Sequence, residues 1–130
     1  MNKNVKGNLI NFKNVLGSII NENNQEIIEL KFINNEISNS FGIFFPLYNF
    51  KNIYDINYNL EFEIKSNKPI FLKVYNGIVW NNIENIEWKP DEYIKINFTS
   101  KFNFETKTTY RIGFNQIQDG TIVYFKNINL

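Results

Sequence analysis

Two tryptophans and the polar residues beside them are the side chains best suited to hold a ligand. Trp80 and Trp88 lie in one irregular stretch, and Asn81, Asn82 and Glu84 follow Trp80 closely. A flat indole can stack on the apolar C–H face of a sugar ring, while amides and carboxylates at its rim can hydrogen-bond hydroxyl groups. The alternative is that both indoles fill the edge of a hydrophobic core, where tryptophan is commonly buried.

Tyr75 and Arg111 are two further candidates for ligand contact. Tyr75 follows Val74 in an alternating pattern, so the two side chains are expected on opposite faces of a strand. Arg111 is the only arginine, and its alternation with apolar neighbours directs it away from the core. A guanidinium fork can bind hydroxyls or carboxylates, but a surface salt bridge is the simpler interpretation of this residue.

Catalytic groups of the usual kinds are scarce. The chain has no histidine and no cysteine, which excludes Ser-His-Asp and Cys-His nucleophilic schemes and the common zinc ligand sets. Thirteen carboxylates remain, but Glu61 and Glu63 fall on the polar face of an alternating strand. Four more acids lie in or beside the tryptophan loop: Glu84, Glu87, Asp91 and Glu92. We therefore expect no enzyme activity and no cofactor.

Composition narrows the class of protein further. The 130 residues are 43% hydrophobic, 21% charged and 17% aromatic, with a net charge of +1 and no alanine, which favours a folded β-rich domain. The absence of a basic cluster argues against nucleic-acid binding. No apolar run is long enough to span a membrane, and Met1 to Ile20 lacks the apolar centre of a signal peptide. We expect either a cytoplasmic chain or a part of a larger secreted protein.

Period-two alternation of apolar and polar residues predicts strands along most of the chain. Asn57–Lys65 and Ile70–Tyr75 alternate regularly on either side of Ser66–Pro69, and we expect these two strands to form an antiparallel hairpin. The same pattern predicts strands over residues 28–32, 41–45, 94–98, 102–104 and 110–114, with a turn at Thr99-Ser100.

The end of the chain has two more local signals. Asp119-Gly120 is typical of a hairpin turn leading into the last strand, Thr121–Leu130. Val123 and Phe125 differ in parity from Ile128 and Leu130, so we expect a β-bulge near Lys126-Asn127. Residues 47–55 and 77–90 are expected to be irregular. Eight or nine short strands without a helix, linker or repeat predict one all-β domain over residues 1–130, either a sandwich or a barrel.

Several segments resemble jelly-roll carbohydrate-binding modules, which are galactose-binding-like β-sandwiches. The resemblance lies in Gly7–Ile10, Ile53–Ser66, Tyr110–Phe114 and Val123–Leu130, which are similar to the opening strand, a central strand and the last two strands of such modules. It implies an antiparallel jelly-roll β-sandwich that binds a glycan without catalysis. In these modules an aspartate that helps to hold structural calcium often stands where this chain has Lys126, so the resemblance does not imply a calcium site here.

Two other functions remain open at this point. A protein-interaction or assembly domain would show an exposed apolar patch without a polar rim, for which Phe44, Tyr48 and Phe71 are the candidates. An accessory domain of a sugar-modifying enzyme would work beside a catalytic part on another chain segment, so a larger enzyme or surface protein is a further expected partner. A glycan-binding module should instead show an exposed tryptophan or tyrosine beside asparagine, arginine or glutamate.

Overall fold

The computed structural model describes residues 8–9, 15–33, 42–46, 56–76, 79–102, 109–115 and 117–129. These residues form ten β-strands in two five-stranded antiparallel sheets. The strands are β1 Asn8–Leu9, β2 Val15–Glu22, β3 Gln25–Phe32, β4 Gly42–Pro46, β5 Ile56–Ser66, β6 Phe71–Tyr75, β7 Trp80–Asn82, β8 Ile94–Phe102, β9 Thr109–Asn115 and β10 Ile122–Asn129. Within these ranges no helix is long and apolar enough to cross a membrane.

The chain alternates between the two sheets. The first sheet has the strand order β1-β4-β9-β6-β7, and the second has the order β2-β3-β10-β5-β8. Among the described strands, only β2–β3 and β6–β7 are consecutive strands that are also neighbours within one sheet. All the other consecutive strands lie in opposite sheets, which is the winding of a jelly roll. The expected all-β jelly-roll sandwich is confirmed.

The core lies between the two sheets and is rich in phenylalanine. Phe114 of the first sheet packs edge-on against Phe125 of the second, with 5.9 Å between ring centroids. Phe32 and Phe62 contact this pair, each with 5.7 Å between centroids. Aromatic rings at these distances add specific contacts to the burial of apolar area. The core therefore fixes the two sheets face to face and leaves their outer faces for other contacts.

Strand β5 follows its sequence pattern closely. Leu60, Phe62 and Ile64 are fully buried, while Glu61 and Glu63 lie on the outer face. Asn59 donates a hydrogen bond of 3.0 Å to Glu61, and Asn127 donates one to Glu63. These two carboxylates thus form part of a hydrogen-bonded strand face, as their alternation indicated.

The bulge expected in the last strand is confirmed. The pairing of β10 with β5 shifts register between Lys126 and Asn129, and Asn127 has a positive φ of 53°. Because the extra residue changes the parity, Val123 and Ile128 both reach the core.

The hairpin expected from Asn57–Lys65 and Ile70–Tyr75 is wrong. Strand β5 pairs with β8 and β10, whereas β6 pairs with β7 and β9 in the other sheet. The connection at Ser66–Pro69 crosses from one sheet to the other, so the apolar faces of both strands meet the same core. The Ser66 hydroxyl donates to the Lys68 carbonyl at 2.7 Å and holds this crossing in shape.

Two other turn predictions also need correction. Strand β8 runs through Thr99-Ser100 without a break, and these residues pair with Asn59 and Tyr58. Asp119-Gly120 does form a turn, with Gly120 at φ 79°, but it joins β9 and β10 of different sheets rather than a hairpin. A local turn signal shows where the chain reverses and does not show which sheet receives the next strand.

Two strands were not anticipated. The first, β2, pairs with β3 along its whole length through a two-residue turn, Asn23-Asn24, in which both residues have positive φ. Asparagine tolerates this left-handed conformation better than most residues, so the turn closes a tight hairpin. The second, β7, lies inside the stretch of residues 77–90 that was expected to be irregular.

Some expectations fall outside the described residues. They concern residues 47–55, Phe104 and the side chains of Phe44, Tyr58 and Tyr110.

Candidate ligand-binding site

The β6–β7 hairpin presents a row of large side chains on the outer face of the first sheet. Along β6, Leu72 and Val74 are buried in the core, and the alternate residues Phe71, Lys73 and Tyr75 belong to the opposite face. Trp80 of β7 is the register partner of Tyr75, and directly opposed residues share a face. The hairpin therefore brings Tyr75 and Trp80, both predicted from the sequence, to the same place.

Tyr75 and Trp80 form an aromatic pair on this face. Their ring centroids are 5.5 Å apart and their planes are inclined by 52°. Trp80 keeps 38% of its surface exposed, which is a large fraction for a tryptophan. The aromatic pair thus offers apolar ring surface to a ligand.

Lys73 supports the indole from beside the pair. Its ammonium nitrogen lies 4.6 Å from the Trp80 ring centroid, which is within cation–π distance. Lys73 is only 8% exposed, and burial lowers its pKa. The long side chain is packed along the sheet, and its ammonium group is held against the Trp80 ring instead of extending into solvent.

Asn76 ties the hairpin to the second sheet. Its side-chain oxygen accepts a hydrogen bond of 3.0 Å from the Val79 backbone N–H, directly before Trp80. Its amide nitrogen donates to the Lys101 carbonyl of β8 at 3.2 Å. Because Asn76 is itself buried, these bonds set where β7 begins and therefore where Trp80 lies.

A polar side chain lies beside the aromatic pair along β7. Asn82 lies two residues beyond Trp80 on the same face, and its side-chain oxygen accepts a hydrogen bond of 3.1 Å from the Asn115 amide. On the other side, Arg111 of β9 is the register partner of Tyr75. The Arg111 side chain lies outside what the structure describes, and its role stays a prediction.

The structure does not bring Trp88 and Asn81 to the aromatic pair. Trp88 is half-buried and packs against the core, with its indole nitrogen enclosed and without a hydrogen-bond partner. Asn81 is the register partner of Val74, which is fully buried, so it belongs to the face opposite Trp80. For Trp88, the packing agrees with the alternative that this indole fills the edge of the core.

Glu84 is exposed at the end of the same hairpin. It lines a cavity of about 730 Å³ together with Asn82, Phe71 and Asn115. A concave region therefore lies at the Phe71 end of the β6–β7 hairpin, and neither Tyr75 nor Trp80 lines it.

Sequence reasoning did not select Lys73 or Asn115 as site residues, and it named Phe71 only as part of an apolar interaction patch. A signal for two of them was present, because Phe71 and Lys73 alternate with Tyr75 in the same strand. Asn115 has no local signal, since it reaches the site only through the pairing of β9 with β6.

The outer face of the second sheet carries a different network. The ammonium groups of Lys126 and Lys65 lie 4.0 and 4.8 Å from the Tyr93 ring centroid. Burial, with smaller contributions from Glu22, Tyr124 and Glu63, raises the pKa of Tyr93 to about 12. Lys126 is thus packed on an aromatic ring. No group of three or more His, Cys, Asp or Glu residues in the described part of the chain could hold a metal ion.

Comparisons with known proteins agree with this architecture. No protein-family model matches the chain, and no curated protein matches it in sequence. A solved family 29 carbohydrate-binding module aligns over 96% of this chain and 83% of its own, with a TM-score of 0.51 and 16% identity. A variant family 29 module in complex with cellulohexaose aligns over 87% and 73%, with a TM-score of 0.53 and 15% identity.

A family 4 module is similar to the same extent. It aligns over 88% of both chains with a TM-score of 0.56 and 6% identity. Such low identities establish the fold and leave the function to be argued from the site. The chain has the jelly-roll β-sandwich fold of carbohydrate-binding modules of families 29 and 4, which confirms the fold implied by the sequence resemblance.

Proposed function

We propose that this chain is a non-catalytic carbohydrate-binding module that holds a glycan on the outer face of the first sheet. The observation that carries the proposal is the exposed aromatic pair, Tyr75 and Trp80, with Lys73 against the indole and Asn82 beside it. A sugar ring would stack its apolar face on the pair. Its hydroxyl groups would hydrogen-bond the side-chain amide at the border.

The similar solved structures support this proposal. They are carbohydrate-binding modules by name, and one holds cellulohexaose. Within the proposal, residues 1–130 act as one domain, and Arg111 adds a polar contact next to Tyr75. Such a domain breaks no bond itself. It would keep a larger enzyme or surface protein, to which it is attached, close to a polysaccharide.

The surroundings of Phe71 favour glycan binding over the alternative of an assembly domain. An assembly surface would be an apolar patch without a polar rim. Phe71 is exposed, but Asn82, Glu84 and Asn115 line the same cavity. This mixture of ring surface, amide and carboxylate suits a ligand that is both apolar and rich in hydroxyl groups.

The test is a binding screen of the purified chain against soluble cellulose derivatives, mannans, xylans, pectins and a glycan array. We expect retention by at least one polysaccharide, and loss of that retention in Trp80→Ala. The matched control is Trp88→Phe, which keeps an aromatic ring in the core and should bind like the wild type. If no polysaccharide or glycan in the screen binds the chain, and light scattering shows concentration-dependent association, the proposal is refuted and assembly is favoured.

A further inference from the structure

The connection between β6 and β7 contains a chemically labile pair of residues. Asn76 is followed by Gly77, and no other asparagine in the chain precedes a glycine. The side-chain amide of an asparagine can be attacked by the backbone nitrogen of the next residue, and a glycine leaves that nitrogen unhindered because it has no Cβ. Asn76 is therefore the asparagine of this chain that is intrinsically most prone to lose its amide.

The reaction consumes only water. The Gly77 backbone nitrogen loses its proton and bonds to the side-chain carbonyl carbon of Asn76, which closes a succinimide ring. The bond from that carbon to the side-chain nitrogen breaks, and the nitrogen takes protons from water and leaves as ammonia. Water then adds to either ring carbonyl. The ring opens to aspartate or to isoaspartate, and each product carries a carboxylate that is ionised near neutral pH.

The fold uses the amide that this reaction removes. The Asn76 side chain is buried, and its nitrogen donates to the Lys101 carbonyl at 3.2 Å and to the Ser100 hydroxyl at 3.5 Å. A carboxylate has no hydrogen to donate, so the aspartate product would place an oxygen against the Lys101 carbonyl. Burying a charge without a partner also costs free energy. The contact that ties the hairpin to β8 would therefore become repulsive.

Isoaspartate would in addition lengthen the turn. The Asn76 N–H donates to the Val79 carbonyl at 3.3 Å, and the Val79 N–H donates to the Asn76 side-chain oxygen at 3.0 Å. Isoaspartate adds a carbon atom to the main chain between these two residues. The length of a hairpin turn sets the register of its strands. Because Trp80 directly follows Val79 and is the register partner of Tyr75, the added atom shifts Trp80 relative to Tyr75.

The position of β7 lets the hairpin open locally. Strand β7 has three residues and lies at the end of the first sheet, with β6 as its neighbour in the described part of the chain. Short peripheral elements open at a lower free-energy cost than the core does. While the hairpin is closed, the bonds with Val79 and Lys101 hold the Asn76 amide in place. The reaction rate should therefore follow the population of the open hairpin.

We propose that Asn76 is a site of spontaneous deamidation and that its conversion separates Trp80 from Tyr75. The modification needs no enzyme, and it gives the aromatic pair a finite chemical lifetime. The conversion and the displacement of Trp80 do not depend on the identity of any ligand. Only the accompanying loss of glycan affinity in the modified fraction rests on the proposed function.

Peptide mapping of aged protein locates the reaction. The purified chain is kept at mildly alkaline pH in a series of urea concentrations below and above its unfolding midpoint, and is then digested with trypsin. One tryptic peptide spans residues 74–95 and contains Asn76 together with three internal controls, Asn81, Asn82 and Asn85. We expect tandem mass spectrometry to find –NH₂ replaced by –OH at Asn76 before the three controls. The rate should rise with urea as the hairpin opens.

Nuclear magnetic resonance of the same samples measures the effect on the aromatic pair. The indole N–H of Trp80 should give a second signal, whose share of the intensity equals the deamidated fraction found by mass spectrometry. Asn76→Asp copies one product and should show the shifted signal from the start. Gly77→Ala, after its Trp80 signal has been checked against the wild type, should keep both the amide and that signal during ageing.

The possible failures are distinct. If Asn76 keeps its amide while a control asparagine is converted, or if Gly77→Ala is converted as fast as the wild type, the deamidation site is refuted. If Asn76 is converted but the Trp80 signal keeps its position, or if Asn76→Asp gives the wild-type signal, the effect on the aromatic pair is refuted. A chain that binds no glycan refutes the proposed function and leaves the deamidation site standing.

Discussion

The Asn76 side chain should control both the stability of the hairpin and the position of Trp80. Asn76→Ala removes the 3.0 Å bond from the Val79 N–H and the 3.2 Å bond to the Lys101 carbonyl. Each bond contributes about 1 kcal/mol net, and a buried group left without a partner costs about 1–3 kcal/mol. We expect the free energy of unfolding to fall by about 2–4 kcal/mol.

Urea unfolding followed by far-UV circular dichroism measures this loss, and glycan calorimetry measures its effect on the site. The matched control is Asn81→Ala, because Asn81 makes a single 3.3 Å bond to the Val79 carbonyl in the same hairpin. That variant should lose less than about 1 kcal/mol. Equal losses in the two variants, or unchanged glycan affinity in Asn76→Ala under folding conditions, would refute the positioning role of Asn76.

Three further predictions concern stability. Phe125→Ala removes a fully buried ring and should lower the free energy of unfolding in urea by about 3–5 kcal/mol; a loss below 1 kcal/mol would contradict the described core. Gly120→Ala places a Cβ at φ 79° and should cost about 1–2 kcal/mol, whereas a stabilised variant would show that this turn is not left-handed. The pKa of Tyr93 is raised in the folded state, so the folded state favours the neutral phenol. The contribution of this group to the free energy of unfolding is therefore present below the ordinary pKa of 10.0 and is lost as the pH rises through about 12. The stability difference between wild type and Tyr93→Phe should therefore change between those pH values, and a constant difference would contradict the raised pKa.

The strands were predictable where one face of a strand is buried and the other is not. In β5, the alternation of Leu60, Phe62 and Ile64 with charged residues reports burial directly, and the structure agrees. The bulge at Lys126-Asn127 was predictable for the same reason, because a change of parity has few other physical causes.

Pairing between strands was harder to predict than the strands themselves. The turns at Ser66–Pro69 and Asp119-Gly120 have the composition of hairpin turns but join strands of opposite sheets. The free energy that decides between the two outcomes comes from packing across the core, far away in sequence. Hydrogen bonds between segments far apart in sequence add to this packing, because Asn67 donates to the Gly120 carbonyl at 3.0 Å and accepts from the Ile122 N–H at 2.8 Å.

The same limit applies to the site. Trp80 lies between Val79 and Asn81 and Trp88 between Glu87 and Lys89, and these neighbours do not show which indole is exposed. The pairing of β7 with β6 distinguishes the exposed indole of Trp80 from the indole of Trp88, which packs against the core. Tyr75 was predictable because it alternates with Val74 within one strand. Asn115 was not, because it joins the site from β9, and its contact with Asn82 depends on register.

The central claim is that a glycan stacks on Trp80, and nuclear magnetic resonance can test it in the intact chain. The two tryptophans give two indole N–H signals, which Trp80→Phe assigns. During titration with the polysaccharide fragment that binds most tightly, the Trp80 signal should move and saturate, while the Trp88 signal should stay in place because its indole nitrogen is enclosed at the edge of the core. Saturable binding that leaves the Trp80 signal unchanged would contradict the account.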